Sequence, residues 1–115
     1  MPRVVSSLFV AATVRRANGA GAFAVVARRG AAEAGAIFVK VVRPGGSADL
    51  YGPAPQALVD SEDDGDRRFE RLIEGGADAD VEARLAREAR FDPDFWVVEI
   101  EDREGRSFVE LARRS

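Results

Sequence analysis

The sequence predicts an α+β fold, a small antiparallel sheet of about four to six strands with two helices packed on one of its faces. Within Phe95 to Glu101, Trp96, Val98 and Ile100 fall on one face and Val97, Glu99 and Glu101 on the other, which is typical of a strand with one buried face. Val81, Leu85 and Ala89 recur at a spacing of four, which is typical of an amphipathic helix. Glycine and proline clusters divide the remaining chain into short segments.

The first element predicted is a helix from about Leu8 to Ala17, with Ser6 or Ser7 as its cap and Asn18 at its end. Its β-branched residues leave a strand over residues 7–18 as an alternative. The apolar runs that follow predict four strands, of which the first three form an antiparallel meander: Phe23–Arg29, Ala36–Arg43, Asp49–Gly52 and Phe69–Ile73.

Asp78 or Asp80 is predicted to cap the second helix, which should end near Phe91, a residue that we expect in the core. In the strand that follows, Trp96 should point into the core beneath this helix. A turn and a last short strand or terminal turn at Phe108–Leu111 complete the chain, which we interpret as a single domain over residues 1–115.

Two residue types are missing from the 115 residues, since there is no cysteine and no histidine. Without cysteine there can be no disulfide, thiolate nucleophile or cysteine-ligated metal. Without histidine the chain lacks the commonest general base at neutral pH and the commonest metal ligand. The sequence therefore predicts no catalytic residue, no metal site and no cofactor.

The start of the chain has the apolar character of a signal peptide. Ser6 and Ser7 interrupt its apolar stretch, however, and Arg15 and Arg16 stand where a cleavage site would lie. No apolar run approaches the ~20 residues needed to span a bilayer. We therefore expect a cytoplasmic protein with no membrane partner.

Charge is divided unevenly along a chain whose formal net charge is −3. Residues 1–46 hold seven basic side chains and only one acidic side chain, whereas acidic side chains predominate after residue 46. The best candidates for a basic binding patch are Arg15, Arg16, Arg28 and Arg29. RNA binding there would also need exposed aromatic side chains for stacking. The simpler interpretation is that these arginines pair with the acidic half of the same molecule.

Glu99 and Glu101 are predicted to share one face of the last long strand, the geometry that a two-carboxylate metal site requires. A nuclease with a Glu-x-Lys strand motif would need a lysine at position 101, and Lys40 could replace it only from across the sheet. The simpler interpretation is the polar face of an antiparallel strand. Residues 60–65 match part of a calcium loop, but Arg71 stands where the bidentate glutamate is required, so an exposed loop is predicted.

Three stretches resemble a family of short alphaproteobacterial proteins known only as a domain of unknown function: Ala22–Gly30, Glu33–Ile37 and Phe91–Asp102. The resemblance covers nearly the whole chain and is most specific over the last stretch. It implies a bacterial cytosolic protein. It brings no activity, cofactor or catalytic residue.

The sequence therefore favours a non-catalytic protein-binding or adaptor domain over an enzyme. Such a domain would present a sheet face or an edge strand to a protein partner or to a second copy in a homodimer. One alternative is RNA binding through the four arginines, which is not the favoured interpretation. A second alternative is a metal-dependent enzyme that uses Glu99 and Glu101.

Overall fold

Five strands form one sheet and two helices pack against it in the computed structural model, which describes residues 4–55 and 67–112. The elements in chain order are α1 (Ser6–Gly19), β1 (Phe23–Arg28), β2 (Ile37–Val42), β3 (Ala48–Pro53), β4 (Phe69–Gly76), α2 (Asp78–Phe91) and β5 (Trp96–Glu101). The predicted α+β class is confirmed, and so is the order of the elements. Residues 7–18 are helical, which resolves the alternative left open at α1.

The strand order is β1-β5-β2-β3-β4, so the last strand lies between the first two. The predicted meander of β1, β2 and β3 is therefore wrong. Because β5 is antiparallel to β1 and parallel to β2, the sheet is mixed and not purely antiparallel. The physical reason lies in β2, whose first five residues are all buried. A strand that is apolar on both sides belongs in the middle of a sheet, with neighbours on both edges.

The two helices lie on opposite faces of the sheet, which corrects the expectation that both cover one face. Val10 of α1 packs in one core cluster with Val39 of β2, whereas Leu85 of α2 packs in another with Phe38. Since successive side chains of a strand point to opposite faces, Phe38 and Val39 report opposite sides of β2. Alternation with one polar face describes only part of this sheet, because its central strands are covered on both sides.

The N-terminus of α1 is capped by backbone carbonyls and not by the predicted serine side chains. Val5 occupies the N-cap position and makes no side-chain capping bond. The backbone N–H groups of Ser6 and Ser7 donate to the carbonyls of Glu33 and Ala32, at 3.1 and 2.9 Å. The loop between β1 and β2 thus satisfies donors that a helix leaves without intrahelical partners.

The same loop packs closely against the start of β5. A Cβ atom added to Gly30 or Gly35 would overlap the carbonyl of Asp94, so only glycine fits at these positions. The indole Nε1 of Trp96 donates to the carbonyl of Ala31 at 2.7 Å. Trp96 is buried as predicted, but it belongs to the core cluster on the α1 side and not beneath the second helix.

The structure differs from the predictions at the end of α2 and in the segment that follows β5. Phe91, expected in the core, is 86% exposed at the end of α2, because the chain turns before β5 and Phe95 fills that part of the core. The last short strand or turn predicted at Phe108–Leu111 consists of a single parallel bridge between Leu111 and Phe69 of β4.

Candidate functional site

On the side of the sheet that α2 occupies, the described residues leave β1 and the second half of β5 uncovered. Helix α2 contacts β3 and β4, whereas α1 covers β1 and β5 from the opposite side. On the α2 side, Val97 at the start of β5 is buried in one cluster with Leu85 of α2, whereas β1 and the second half of β5 lie open beside the helix. We call this surface the open face, and its five residues are Phe23, Val25, Val42, Glu99 and Glu101.

Side chains of the open face form two rows across the strands. Phe23 pairs with Glu101, and Glu101 pairs with Val42 in the next strand. Val25 pairs with Glu99, which pairs in turn with Lys40. Phe23 is 61% exposed and Val25 is 40% exposed. Apolar side chains that lie together in the open mark interaction surfaces more often than apolar side chains scattered singly.

The middle of the open face is acidic. The nearest cation to Glu99 is Lys40, whose Nζ lies 3.9 Å from Oε1 of Glu99. That ammonium lies closer to two carboxylates of α2, at 2.5 Å from Asp78 and 2.7 Å from Glu82. Among the described residues, Glu101 forms no ion pair. The open face therefore combines apolar side chains with carboxylates that are weakly compensated.

Lys40 is a structural tether in this arrangement. Burial lowers the pKa of Lys40, but its hydrogen bonds to Asp78 and Glu82 and their negative charges outweigh burial and raise the pKa above 10.5. A lysine with a raised pKa stays protonated at neutral pH and is a poor general base or nucleophile. It holds the first two turns of α2 against β2 instead.

Lys40 does lie across the sheet from Glu99, as the Glu-x-Lys interpretation required. Its ammonium is engaged by α2, however, and within residues 4–55 and 67–112 no group of three or more acidic side chains is placed to hold a metal ion. The partial calcium-loop pattern at residues 60–65 lies outside the described residues.

Two grooves extend the open face at its ends. The first, of about 390 Å³, runs between α2 and the sheet, where the small side chains of Ala86 and Ala89 leave space above Val97. The second, of about 620 Å³, lies beyond Phe23 and Val42 at the opposite end. Both volumes fall within the range of natural ligand clefts. The open face can therefore receive side chains along its length, not only at one point.

The outer edge of β1 is partly blocked by a side chain of α1. The amide of Asn18 accepts a hydrogen bond from the N–H of Ala24 at 2.8 Å and donates to its carbonyl at 3.1 Å. These are the two bonds that an added strand would make at this position. A register shift between Val26 and Arg28 disturbs the other end of the strand. Such features protect edge strands from pairing, so the face of β1 is more available than its edge.

The four arginines predicted as a basic patch are placed by their contacts on two sides of the sheet. Nη2 of Arg16 donates to the carbonyl of Phe108 at 2.7 Å, on the α1 side. Its neighbour Arg15 is exposed on the same helix.

Arg28 is the last residue of β1, and Arg29 follows it. Arg28 donates to the carbonyl of Pro93 at 2.7 Å, and its guanidinium lies 4.3 Å from the ring centre of Phe95. Arg29 lies 5.5 Å from the ring centre of Trp96. Both rings are buried, so they do not provide the exposed stacking surfaces that RNA binding would need. Arg16 and Arg29 contact residues on the α1 side of the sheet, whereas Arg28 contacts Phe95 on the α2 side, and binding through the four arginines stays a prediction.

Sequence reasoning missed two features of this region. The cluster of Lys40 with Asp78 and Glu82 joins residues far apart in the chain, although a lone lysine within the apolar run of β2 was a signal that a buried charge needs partners. Asn18 was interpreted only as a helix end, and nothing in the sequence indicates that its amide pairs with β1.

The fold and its open face define a small α+β domain in which the described residues leave part of the sheet uncovered. Residues 4–110 match the family model described as a protein of unknown function, DUF1491. The chain belongs to this family, which confirms the resemblance seen in the sequence. Neither helix in the described part of the chain is long and apolar enough to cross a bilayer.

Solved structures of alphaproteobacterial proteins support the assignment. The chain is similar to a protein of A. tumefaciens known from its solution structure, with 45% identity, 98% of each chain covered and a TM-score of 0.84. It is also similar to a DUF1491 family protein from Caulobacter crescentus. The crystal structure of the Caulobacter protein gives 41% identity over 96% of this chain and 98% of that one, with a TM-score of 0.79. Its NMR structure gives 42% identity over 97% of each chain and a TM-score of 0.78. No curated protein gives a significant match.

Proposed function

We propose that the protein is a non-catalytic, cytoplasmic protein-binding domain whose open face docks a partner segment bearing apolar and basic side chains. The observation that carries the proposal is the exposure of Phe23 and Val25 on a part of the sheet that α2 leaves uncovered. A few fully desolvated side chains, often aromatic, supply most of the binding energy of a protein interface.

The charge of the open face supports a basic partner. Glu99 and Glu101 lie between the apolar side chains of β1 and β2, and Lys40 is held by α2 at the far side. A lysine or arginine of the partner would neutralise these carboxylates and, by electrostatic attraction, speed association.

The same charges argue against a symmetric homodimer through this face. A two-fold contact would place the carboxylates of Glu99 and Glu101 from both copies in one interface. Like charges brought together in this way cost several kcal/mol. Edge-to-edge pairing of β1 strands is opposed by the amide of Asn18. A different protein therefore fits the open face better than a second copy does.

The proposal is tested by affinity capture from a native lysate of an alphaproteobacterium, with three forms of the tagged full-length chain. The test variant is Phe23→Ser combined with Val25→Ser, and the matched control is Leu8→Ser. Leu8 is 62% exposed on α1, almost the same exposure as Phe23, but it lies away from the open face. We expect one stoichiometric protein with the unaltered chain and with the control, and its loss with the test variant.

The captured protein is then purified, and its affinity is measured by calorimetry. The double variant should bind at least about tenfold more weakly, as expected for removal of a central aromatic anchor. Raising the salt concentration should slow association, because the attraction to Glu99 and Glu101 is screened.

Other outcomes would contradict the proposal. Equal capture by all three forms would show that the open face is not the docking surface. Loss of the captured material after nuclease treatment would favour RNA binding instead. A concentration-dependent dimer in sedimentation that the double variant abolishes would assign the open face to self-association.

A further inference from the structure

A second groove lies on the opposite side of the molecule, between α1 and the segment that follows β5. Its volume is about 380 Å³. Its walls include the aromatic rings of Phe9 and Phe108, and three arginines line it against one carboxylate, that of Glu110: Arg16, Arg67 and Arg68. We propose that this groove binds a small carboxylate ligand with an apolar body.

The arginines of this groove are held in place by the fold. Arg16 donates through Nη2 to the carbonyl of Phe108 at 2.7 Å. Arg67 donates to the carbonyl of Val4 at 3.1 Å and to the hydroxyl of Ser6 at 3.0 Å. Guanidinium groups fixed before the ligand arrives lose less side-chain entropy when it binds. The positive charge of the groove is thus pre-organised.

Arg16 supplies the contact on which recognition depends. A guanidinium carries five N–H donors, and the bond to Phe108 uses one of them. Arg16 is exposed at the rim of the groove, so its remaining donors can reach a carboxylate that enters from solvent. The planar guanidinium matches a carboxylate with two parallel hydrogen bonds and is weakly hydrated for a cation.

The apolar walls are equally fixed. Phe9 stacks on Phe69 with ring centres 5.9 Å apart. Phe108 and Val109 pack against the core on the α1 side, and Phe108 takes a backbone φ of 61°, which a bulky residue adopts only when its surroundings impose it. The guanidinium of Arg67 lies 5.5 Å from the ring centre of Phe9, and that of Arg106 lies 4.9 Å from the ring centre of Phe108. An apolar body can therefore lie along the half-buried aromatic side chains of the groove while the head group meets Arg16.

The size of the groove limits the ligand. At roughly 30 Å³ per water-sized group, the groove holds about a dozen non-hydrogen atoms. Glu110 opposes a highly charged ligand, which favours a monoanion over a polyphosphate. A short-chain or aromatic monocarboxylate fits both limits.

The first experiment titrates the ¹⁵N-labelled full-length chain with sodium hexanoate. Two probes are matched to it: 1-hexanol has the same apolar tail without the charge, and sodium acetate has the carboxylate without the tail. We expect saturable amide shifts at Arg16, Phe108 and Val109 with hexanoate, with a Kd in the millimolar range typical of so small a ligand. Hexanol and acetate should each bind at least about tenfold more weakly, because each lacks one of the two contacts.

Variants then test the role of charge. Arg16→Gln should weaken hexanoate binding about tenfold, as expected for loss of a charge-assisted hydrogen bond. Arg15→Gln is the matched control, since it removes the same charge from the neighbouring exposed residue outside the groove, and it should change the Kd less than about twofold. Glu110→Gln should tighten binding about twofold to threefold, because it removes the opposing carboxylate.

Three results would overturn the inference. They are equal binding of hexanol and hexanoate, equal weakening by Arg15→Gln and Arg16→Gln, and no saturation up to about 100 mM hexanoate. If Arg16→Gln does not fold, Glu110→Gln serves as the test of charge. The side chain of Glu110 is 69% exposed, so this variant should fold. The Phe23→Ser and Val25→Ser double variant should bind hexanoate normally, so this inference and the proposed function fail independently.

Discussion

The two faces of the sheet differ in how completely they are covered. On one face, α1 packs over β1 and β5, and Phe108 and Val109 close the core beside it. On the other face, α2 packs over β3, β4 and the start of β5, and it leaves β1 and the second half of β5 open. We call the first the covered face and compare it with the open face. Helix α1 covers the apolar side chains of β5, and Glu99 and Glu101 of the same strand lie on the open face.

Two aromatic side chains illustrate the difference. Trp96 begins β5 and is 3% exposed on the covered face, whereas Phe23 begins β1 and is 61% exposed on the open face. Both stand at the start of apolar strand patterns in the sequence. Helix α1 and the loop before β2 both pack on the side of the sheet that holds Trp96. Trp96 is therefore buried, whereas Phe23 stays exposed.

The largest effect is expected on the covered face. Trp96→Ala should lower the free energy of unfolding by about 3–5 kcal/mol, because it leaves a cavity and removes the hydrogen bond from the indole to the carbonyl of Ala31. Urea denaturation followed by circular dichroism measures this. A cost below about 1 kcal/mol would mean that Trp96 is not a core anchor.

A smaller effect on the free energy of unfolding is expected for substitution of Asp102, the residue that follows β5. Asp102 is buried and accepts hydrogen bonds from Nε and Nη2 of Arg106 at 2.9 and 2.8 Å. Asp102→Asn should lower the free energy of unfolding by about 1.5–3 kcal/mol at neutral pH, the range for hydrogen bonds to charged groups. Urea denaturation of both proteins measures the difference.

The pH dependence of this difference has a defined sign. The hydrogen bonds from Arg106 outweigh the opposing effect of burial and lower the pKa of Asp102 from 3.8 to about 2. A carboxylate with a depressed pKa stabilises the fold above its unfolded pKa and loses that contribution as the pH falls through its folded pKa. The gap between the unaltered chain and Asp102→Asn should stay constant from neutral pH to about 5 and shrink between about 4 and 2. A gap that does not change with pH would contradict this.

A substitution at the edge of β1 is expected to change stability only slightly and to promote self-association. Asn18→Ala removes two hydrogen bonds to Ala24 and should cost about 1 kcal/mol. It also frees the edge of β1, so sedimentation velocity should show association at rising protein concentration. If Asn18→Ala remains monomeric wherever the unaltered chain does, the amide does not protect the edge.

The smallest effect on stability is expected on the open face. Phe23→Ser should change the free energy of unfolding by less than about 0.5 kcal/mol, because its side chain is already largely in water. Thermal denaturation checks this and also serves as the folding control for the binding experiment. A cost above about 2 kcal/mol would show that Phe23 is a structural residue and would remove the basis of the comparison.

The sequence by itself determined the elements of this protein and their order. Hydrophobic periodicity and turn residues act locally, so they place α2 and β5 within a residue or two of the observed bounds. The missing cysteine and histidine limited the chemistry in the same direct way. The resemblance carried by residues 91–102 was equally readable, since it depends on residue identity alone.

Only the tertiary structure decided how those elements meet. The insertion of β5 between β1 and β2, and the docking of helices on opposite faces, depend on contacts between residues far apart in the chain. The partners of Lys40 and the pairing of Asn18 with Ala24 depend on the same arrangement. A local pattern states that a side chain is apolar but not which element will cover it. The open face is therefore visible only once both helices have docked.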